Sequence, residues 1–207
     1  MQARIIAAAL LAAISAPVMA QAQPAPQPTL QPVAEAAKED LVRVALDTTA
    51  GRIVIAVDRG RAPITAANFL RYVDNGRFNG ESFYRALKYP HGGGLIQGGI
   101  TSDSRKLFPA IEHEPVARTG ISHVAGTVSM ANGGPGTARS DFFIVVSDSA
   151  SFDDSFAAFG RVVEGMDVVK AILAAPVSAT KGEAVMKGQM LEPTVRIGKA
   201  ERVTGAE

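Results

Sequence analysis

The chain of 207 residues contains no cysteine, no tryptophan and only three histidines. The absence of cysteine excludes disulfide bonds, thiolate metal sites and a cysteine nucleophile. Positive and negative charges nearly balance, with a formal net charge of +1, so nothing in the composition favours nucleic acid or an acidic partner. A chain of this length with 47% hydrophobic residues suits one soluble globular domain of ordinary size.

Beyond the N-terminus, the sequence has no apolar run that approaches the length of a membrane span. Residues 1–20 combine the basic residue Arg4 with an apolar run from Ile5 to Ile14, and they end in the small-residue sequence VMA. This pattern predicts a cleaved signal peptide, with a buried N-terminal helix or a retained anchor as the alternatives. We therefore expect a periplasmic or secreted protein that has no membrane attachment after cleavage.

Residues 21–40 are rich in proline, glutamine and alanine and lack the periodic pattern of a buried element. Such a composition predicts a disordered or extended linker. The folded domain is expected to span residues 41–203, with a short tail at residues 204–207.

Short strand patterns separated by turn residues dominate the rest of the chain. Two helical patterns, at residues 62–76 and 165–175, do not alternate with strands, which argues against a parallel α/β sheet. Closing the sheet would remove exposed edges, so a barrel is preferred over a sandwich. The strand patterns are a hairpin within residues 41–58, then Ser82–Leu87, Leu95–Gly98, Gly126–Met130, Asp141–Val146, Ala158–Val162 and a last strand within residues 193–203.

Three short motifs suggest chemistry that their context does not support. The sequence HGGG at residues 91–94 matches an esterase oxyanion loop, but the chain has no Gly-x-Ser-x-Gly elbow. The glycine-rich residues 133–138 lack the Lys-Ser/Thr ending of a phosphate loop. The sequence EHE at residues 112–114 lacks metal-ligand spacing, so we predict no metal or cofactor. Composition leaves a Ser-His-Asp triad open, although no pattern supports one.

Two stretches carry a specific signature. The first is FYRALKYPHGGGLIQGG at residues 83–99, and the second is GTVSMANGGPGTARSDFFIVV at residues 126–146, followed by FDDSFAAFGRVVEGMDVV. Together they resemble the cyclophilin family of peptidyl-prolyl cis–trans isomerases, whose aromatic-x-Arg, Gln-Gly-Gly, Ser-Met-Ala-Asn and Ser-x-Phe-Phe motifs occur here in the same order. The resemblance covers residues 41–203. It implies a mainly β fold, a closed eight-stranded antiparallel barrel capped by two helices, and a monomer that acts on proline-containing polypeptides.

The chemistry of X–Pro rotation explains why an arginine stands in this signature. The C–N bond has partial double-bond character, with a barrier of about 18–20 kcal/mol, and a catalyst must favour the twisted state over both planar ones. In the twisted state the prolyl nitrogen gains a lone pair, which a fixed cationic donor stabilises. Arg85 supplies a permanent charge and a rigid fork of donors.

The resemblance also assigns the other site residues. It implies that Arg85 and Gln97 are catalytic, with Gln97 supporting Arg85 and binding the substrate backbone. It implies that Phe143 forms the floor of a proline pocket and that the backbone of Asn132 binds the carbonyl before the proline. The remaining substrate-binding residues implied are Leu95, Ala131, Asp141, Phe152 and Phe156.

Three expectations concern details of this chain. Simple alternation places Phe83, Arg85 and Leu87 on one face of their strand, with Tyr84 and Ala86 on the other. Gly94 and Asp141 occupy positions where the family has an aromatic residue and a glutamine. We expect Asp141 to pair with Arg85 or with Arg139, and the pocket wall near Gly94 to be looser. These departures motivate an alternative function, a barrel that binds proline segments with little turnover.

Overall fold

The structure, a computed structural model, describes residues 38–204. The predicted signal peptide, most of the predicted linker and residues 205–207 lie outside the described residues. Eight strands form a closed barrel in the order β1-β2-β7-β5-β6-β4-β3-β8, and every neighbouring pair is antiparallel. The strands are β1 Leu41–Thr48, β2 Gly51–Asp58, β3 Ser82–Lys88, β4 Gly94–Gly99, β5 Thr127–Met130, β6 Phe142–Val145, β7 Ala157–Glu164 and β8 Met190–Arg202.

Three α-helices accompany the barrel: α1 Pro63–Asp74, α2 Val116–Thr119 and α3 Met166–Ala174. The predicted barrel and its two longer helices are confirmed, whereas the single-turn helix α2 was not predicted. Short 3₁₀ turns lie at Ser104–Lys106, Ala150–Phe152 and Ala184–Met186. Among residues 38–204, no helix is long and apolar enough to cross a bilayer.

The barrel interior is filled by aromatic and branched aliphatic side chains. Side chains alternate along a strand, and on β6 Phe142 and Ile144 belong to the interior cluster. Their neighbours Phe143 and Val145 belong to a separate apolar cluster and therefore lie on the outer face. Neighbouring rings of the interior aromatics have centroids 5.0 to 5.6 Å apart, and these residues are Phe69, Phe78, Phe83, Phe142 and Phe159.

Glu114 closes the N-terminus of α1. The helix begins with Pro63, whose missing N–H is not needed in the first turn. The fully buried Glu114 accepts a hydrogen bond of 2.6 Å from the backbone N–H of Thr65. A carboxylate at this end also complements the helix dipole. The EHE sequence thus has a structural contact here, and the described part of the chain holds no cluster of three metal-ligating side chains.

A β-bulge in β3 turns Arg85 to the outside of the barrel. Phe83 pairs with Gly98 of β4 and Arg85 pairs with Gln97, so Tyr84 is an extra residue without a partner in the ladder. A bulge of this kind re-aims the side chains that follow it. Phe83 and Ala86 both pack in the interior cluster, which simple alternation forbids. The expectation that Phe83 and Arg85 share a face is therefore wrong, and Tyr84 joins Arg85 on the outer side.

Candidate active site

An apolar patch covers the outer face of β4 and β6. Its buried centre consists of Leu95, Phe143 and Val145. The rings of Phe152 and Phe156 stand nearly perpendicular to Phe143, with centroids 5.8 and 5.2 Å from it. Edge-to-face packing of this kind fixes ring orientation. The three rings therefore form a pre-shaped apolar surface.

Beside this patch lies a cavity of about 290 Å³, near the lower end of the range for ligand sites. It brings together eight of the nine predicted site residues and leaves out Asp141. Two further residues that were not predicted, Leu87 and Met186, complete its wall. The predicted residues that line it are Arg85, Leu95, Gln97, Ala131, Asn132, Phe143, Phe152 and Phe156.

Two glutamines hold the Arg85 guanidinium at the edge of this cavity. Its Nη1 donates a hydrogen bond of 2.8 Å to Gln97 Oε1, and its Nε donates one of 2.8 Å to Gln189 Oε1. Within residues 38–204, Nη2 has no hydrogen-bond partner, so this donor is available to a ligand. Burial lowers the pKa of Arg85 from its ordinary value, with Tyr84 and Tyr89 opposing the shift. The guanidinium is thus partly desolvated, which strengthens its electrostatic effect on a neighbour.

Gln97 has a fixed orientation because Tyr84 accepts from its amide. Gln97 Nε2 donates to the Tyr84 hydroxyl at 2.7 Å, and that hydroxyl donates to Asp141 Oδ1 at 2.6 Å. Burial raises the pKa of Asp141, and the hydrogen bond from Tyr84 opposes that shift. Burial, the nearby Asp141 charge and their hydrogen bond raise the pKa of Tyr84.

The expected ion pair of Asp141 with Arg85 or Arg139 does not form among the described residues. The bulge explains the difference, because it places the Tyr84 hydroxyl between Gln97 and the Asp141 carboxylate. Within residues 38–204, the charge of Arg85 is therefore contacted by two neutral amides and by no carboxylate.

A second cavity of about 380 Å³ adjoins the first and contains Asp141 and Arg139. Both cavities are lined by Gln97, Ala131, Asn132 and Met186. The backbone N–H and C=O of Asn132 have no hydrogen-bond partner within the described residues. The Asn132 side chain instead braces its loop by donating to the Ser155 carbonyl at 3.0 Å and accepting from the Gly134 N–H at 2.9 Å. Both backbone groups of Asn132 are therefore left free by the described residues to bind a ligand at the wall that the two cavities share.

Gly94 lies at the start of β4 and is not among the lining residues of the first cavity. Its φ of +136° is unfavourable for other residues, and a Cβ there would overlap the carbonyl oxygen of Leu87. An aromatic side chain has no room at this position. The wall facing the cavity comes from Leu87 and Leu95 instead, so the expected loosening at Gly94 has no basis in the packing.

A buried hydrogen-bond chain lies beneath Phe143. The His123 ring stacks on Phe143 with centroids 5.9 Å apart, and it contacts Asp153 Oδ1 through Nδ1 at 2.6 Å and Ser129 Oγ through Nε2 at 2.9 Å. This is the connectivity of a Ser-His-Asp triad, which composition had left open. Ser129 and His123 are 0% exposed, so the hydroxyl cannot reach a substrate carbonyl. The hydrogen-bonded residues Ser129, His123 and Asp153 therefore support Phe143 from below.

Sequence reasoning missed four residues of the site: Tyr84, Leu87, Met186 and Gln189. Tyr84 is adjacent to Arg85 and was assigned to the opposite face, and an unrecognised bulge caused this error. Met186 and Gln189 belong to residues 175–189, between α3 and β8, which carry no periodic pattern. No local sequence pattern gives their position, because it depends on the pairing of β8 with β3, which brings the residues that precede β8 beside Arg85.

A larger cavity, of about 560 Å³, is lined by both ends of the domain, from Leu41 to Thr204. Its three arginines are each paired with a carboxylate, at distances of 3.1, 3.0 and 2.7 Å. These pairs are Arg43–Glu164, Arg161–Glu39 and Arg202–Asp74. It thus offers no free cation, and the smaller cavity beside Arg85 is the better candidate site.

The fold and the site define a class: closed antiparallel barrels that present a small apolar pocket and a positioned arginine on their outer wall. Comparison with known proteins places the chain within it. Residues 42–201 match the family model of the cyclophilin-type peptidyl-prolyl cis-trans isomerases, and the chain belongs to that family.

Relatives and solved structures agree with this assignment. The chain is 38% identical to peptidyl-prolyl cis-trans isomerase A of Dickeya dadantii over 62% of this chain and 70% of that protein. It is 36% identical to an isomerase of Streptomyces antibioticus over 67% of this chain and 87% of that protein. A Cryptosporidium parvum cyclophilin structure shares the fold with a TM-score of 0.65 at 19% identity, covering 81% of this chain and 100% of that one.

Proposed function

We propose that this isomerase accelerates X–Pro rotation in exported polypeptides, with Arg85 donating to the prolyl nitrogen while the apolar pocket holds the proline ring. The observation that carries the proposal is the Arg85 guanidinium, held by two amides beside a pocket of three aromatic rings. A structure of the Cryptosporidium parvum cyclophilin was determined in the presence of the dipeptide Ala-Pro. Because that protein shares the fold of this chain, its structure determination with Ala-Pro supports a proline-containing ligand here.

The proposed steps follow from the contacts. The proline ring enters the pocket against Phe143, where burial of its methylene groups stabilises the complex. The backbone of Asn132 holds the preceding residue, so that one side of the rotating bond is fixed. As the amide twists, the prolyl nitrogen gains a lone pair and accepts a hydrogen bond from Arg85. Because this bond forms fully only in the twisted state, it lowers the barrier.

Arg85 has no acidic partner in the described part of the chain, and this favours turnover over simple binding. A carboxylate on the guanidinium would reduce its field at the prolyl nitrogen, and the low-turnover alternative relied on Asp141 doing so. Asp141 accepts from Tyr84 instead, and Gly94 does not line the pocket. Both reasons for expecting a binding module are thereby weakened.

A protease-coupled assay on a short Xaa-Pro peptide tests the proposal. Arg85→Ala should lower kcat/KM by about 100-fold or more, the typical effect of one preorganised donor. Arg85→Lys should also be impaired, because an ammonium cannot contact both glutamines in the same geometry. Arg43→Ala, in a different cavity, is the matched control and should retain full activity. Full activity of Arg85→Ala would exclude the assigned role.

Export is the second part of the proposal and depends on residues 1–20, with their basic start, short apolar run and VMA ending. Expression of the full chain in a Gram-negative host, followed by cell fractionation and N-terminal sequencing, tests it. We expect mature protein in the periplasm that begins at Gln21. Uncleaved protein confined to the cytoplasm would contradict export and leave the isomerase assignment standing.

A further inference from the structure

We propose that Gln189 is a positioning residue for Arg85, a role that rests on the proposed function of Arg85 as the donor. Its side chain reaches the guanidinium from the segment between α3 and β8, 104 positions along the chain from Arg85. The contact is on Nε, the guanidinium atom nearest the side-chain stem. The Gln97 contact is on Nη1, so the two glutamines restrain the planar group at two different nitrogens.

The acceptor oxygen of Gln189 is itself fixed in place. Gln189 Nε2 donates a hydrogen bond of 2.7 Å to the Val185 carbonyl, which settles which amide atom faces Arg85. The Gln189 backbone carbonyl accepts from the Ala86 N–H at 2.9 Å, and its N–H donates to the Met186 carbonyl at 3.1 Å. Gln189 is therefore anchored to β3 one residue beyond Arg85. The residue that orients Arg85 is attached to the same strand as Arg85.

Two neutral acceptors hold the guanidinium in place without opposing its positive charge, whereas a carboxylate would oppose it. An amide oxygen accepts from the guanidinium and limits its rotation without cancelling its charge. A salt bridge would hold the group as well, but its negative charge would oppose stabilisation of the prolyl lone pair. With Nε and Nη1 occupied, Nη2 is the donor without a partner among the described residues. Gln189 thus leaves one nitrogen of a fully charged, oriented group for the substrate.

The proposal predicts a specific kinetic pattern. Gln189 does not line the proline cavity, so its loss should leave KM nearly unchanged. Arg85 would sample other orientations, so kcat should fall. A hydrogen bond to a charged group has a typical strength that corresponds to about a tenfold change. A purely structural role would instead lower the amount of folded protein and leave kcat per folded molecule the same.

Three variants test it in the full mature chain. Gln189→Met keeps the size of the side chain and removes the acceptor, Gln189→Ala removes both, and Lys187→Ala changes an exposed side chain of the same segment. We expect Gln189→Met and Gln189→Ala to lose about tenfold in kcat with KM within about twofold of the parent. Lys187→Ala should match the parent. Parental kcat in Gln189→Met would overturn the proposal.

A spectroscopic readout separates this proposal from the assigned function. The Arg85 Nε–Hε resonance, identified by its loss in Arg85→Ala, reports the contact with Gln189 even in a protein without isomerase activity. We expect Gln189→Met to shift this resonance and to accelerate its exchange with water, while Lys187→Ala leaves it unchanged. An unchanged resonance in Gln189→Met would overturn the positioning role. A parent without isomerase activity would instead overturn the proposed function.

Discussion

Arg85 and Gln97 stand opposite each other across the β3–β4 ladder, and the guanidinium donates to the amide oxygen at 2.8 Å. Gln97 Nε2 donates to the Tyr84 hydroxyl, so the amide cannot flip and its oxygen stays directed at Arg85. Cross-strand neighbours of this kind are close enough for direct contact. Over residues 38–204, the position of the Arg85 charge is therefore set by the sheet and by two amides, with no carboxylate in contact.

Replacing Gln97 by glutamate should impair catalysis more than its small change in size suggests. A carboxylate would accept from Arg85 but would also oppose the guanidinium charge at the prolyl nitrogen. We expect Gln97→Glu to lower kcat/KM by about tenfold or more in the peptide assay. Gln97→Glu with parental activity would contradict the view that a neutral acceptor is required.

Asp141 should destabilise the folded protein increasingly as pH rises. Burial raises its pKa above the ordinary value of 3.8, so the folded state holds its proton to higher pH than the unfolded state does. The stability that it contributes in acid is lost as pH rises through the folded pKa. Asp141→Asn keeps an acceptor for Tyr84 and removes the charge. The unfolding free energy of this variant relative to the parent should increase from pH 4 to pH 7 in urea titrations, and a constant difference would count against the shift.

His123 should make the parent less stable on mild acidification. Burial lowers its pKa below the ordinary 6.5, with Asp153 opposing the shift, so the unfolded state binds the proton first. Stability is complete above pH 6.5 and declines as pH falls toward the folded pKa. We expect His123→Gln to lack this decline between pH 7 and pH 5. At pH 7 it should lose about 2 kcal/mol, since buried polar partners are left unsatisfied.

The stacking of His123 on Phe143 adds a kinetic consequence to the same variant. A tilted Phe143 would fit the proline ring poorly, so KM should rise in His123→Gln while kcat changes less. Urea titrations at pH 5, 6 and 7 together with peptide kinetics check both effects. Parallel pH dependence in the variant and the parent would contradict the assignment of the decline to His123.

Met186 should affect the choice of residue before proline. It lines the cavity beside Arg85 and the neighbouring one, so we expect a substrate that spans both cavities to contact it. Met186→Ala should raise KM about fivefold for a peptide with leucine before proline, since a buried apolar contact is lost. For a peptide with glycine before proline, KM should change little. Val185→Ala, whose parent side chain is 79% exposed, is the matched control. Equal effects on the leucine and glycine peptides would exclude this role.

The barrel was accessible from the sequence because its strands are short, alternating and separated by turn residues. The pocket residues were accessible only through the resemblance to the cyclophilin motifs, because Phe143 taken alone would be predicted as an ordinary core residue. In the structure the side chains alternate along β6, so Phe142 packs in the barrel interior and Phe143 lies on the outer face. The direction of the Arg85 side chain was not accessible. One extra residue in β3 moves the following side chains to the opposite face of the strand, and alternation in the sequence does not reveal such a bulge. Gln189 was missed because its contact depends on how β8 pairs with β3, which no local pattern near residue 189 records.

Exchange NMR on an uncleaved proline peptide tests the central claim most directly, because it observes both isomers and both directions of rotation. With catalytic amounts of the mature chain, we expect exchange between the cis and trans signals well above the uncatalysed rate. Arg85→Ala should still bind the peptide, because the aromatic pocket is intact, but exchange should fall nearly to background. Exchange in Arg85→Ala equal to that of the parent would contradict donation from Arg85 to the prolyl nitrogen.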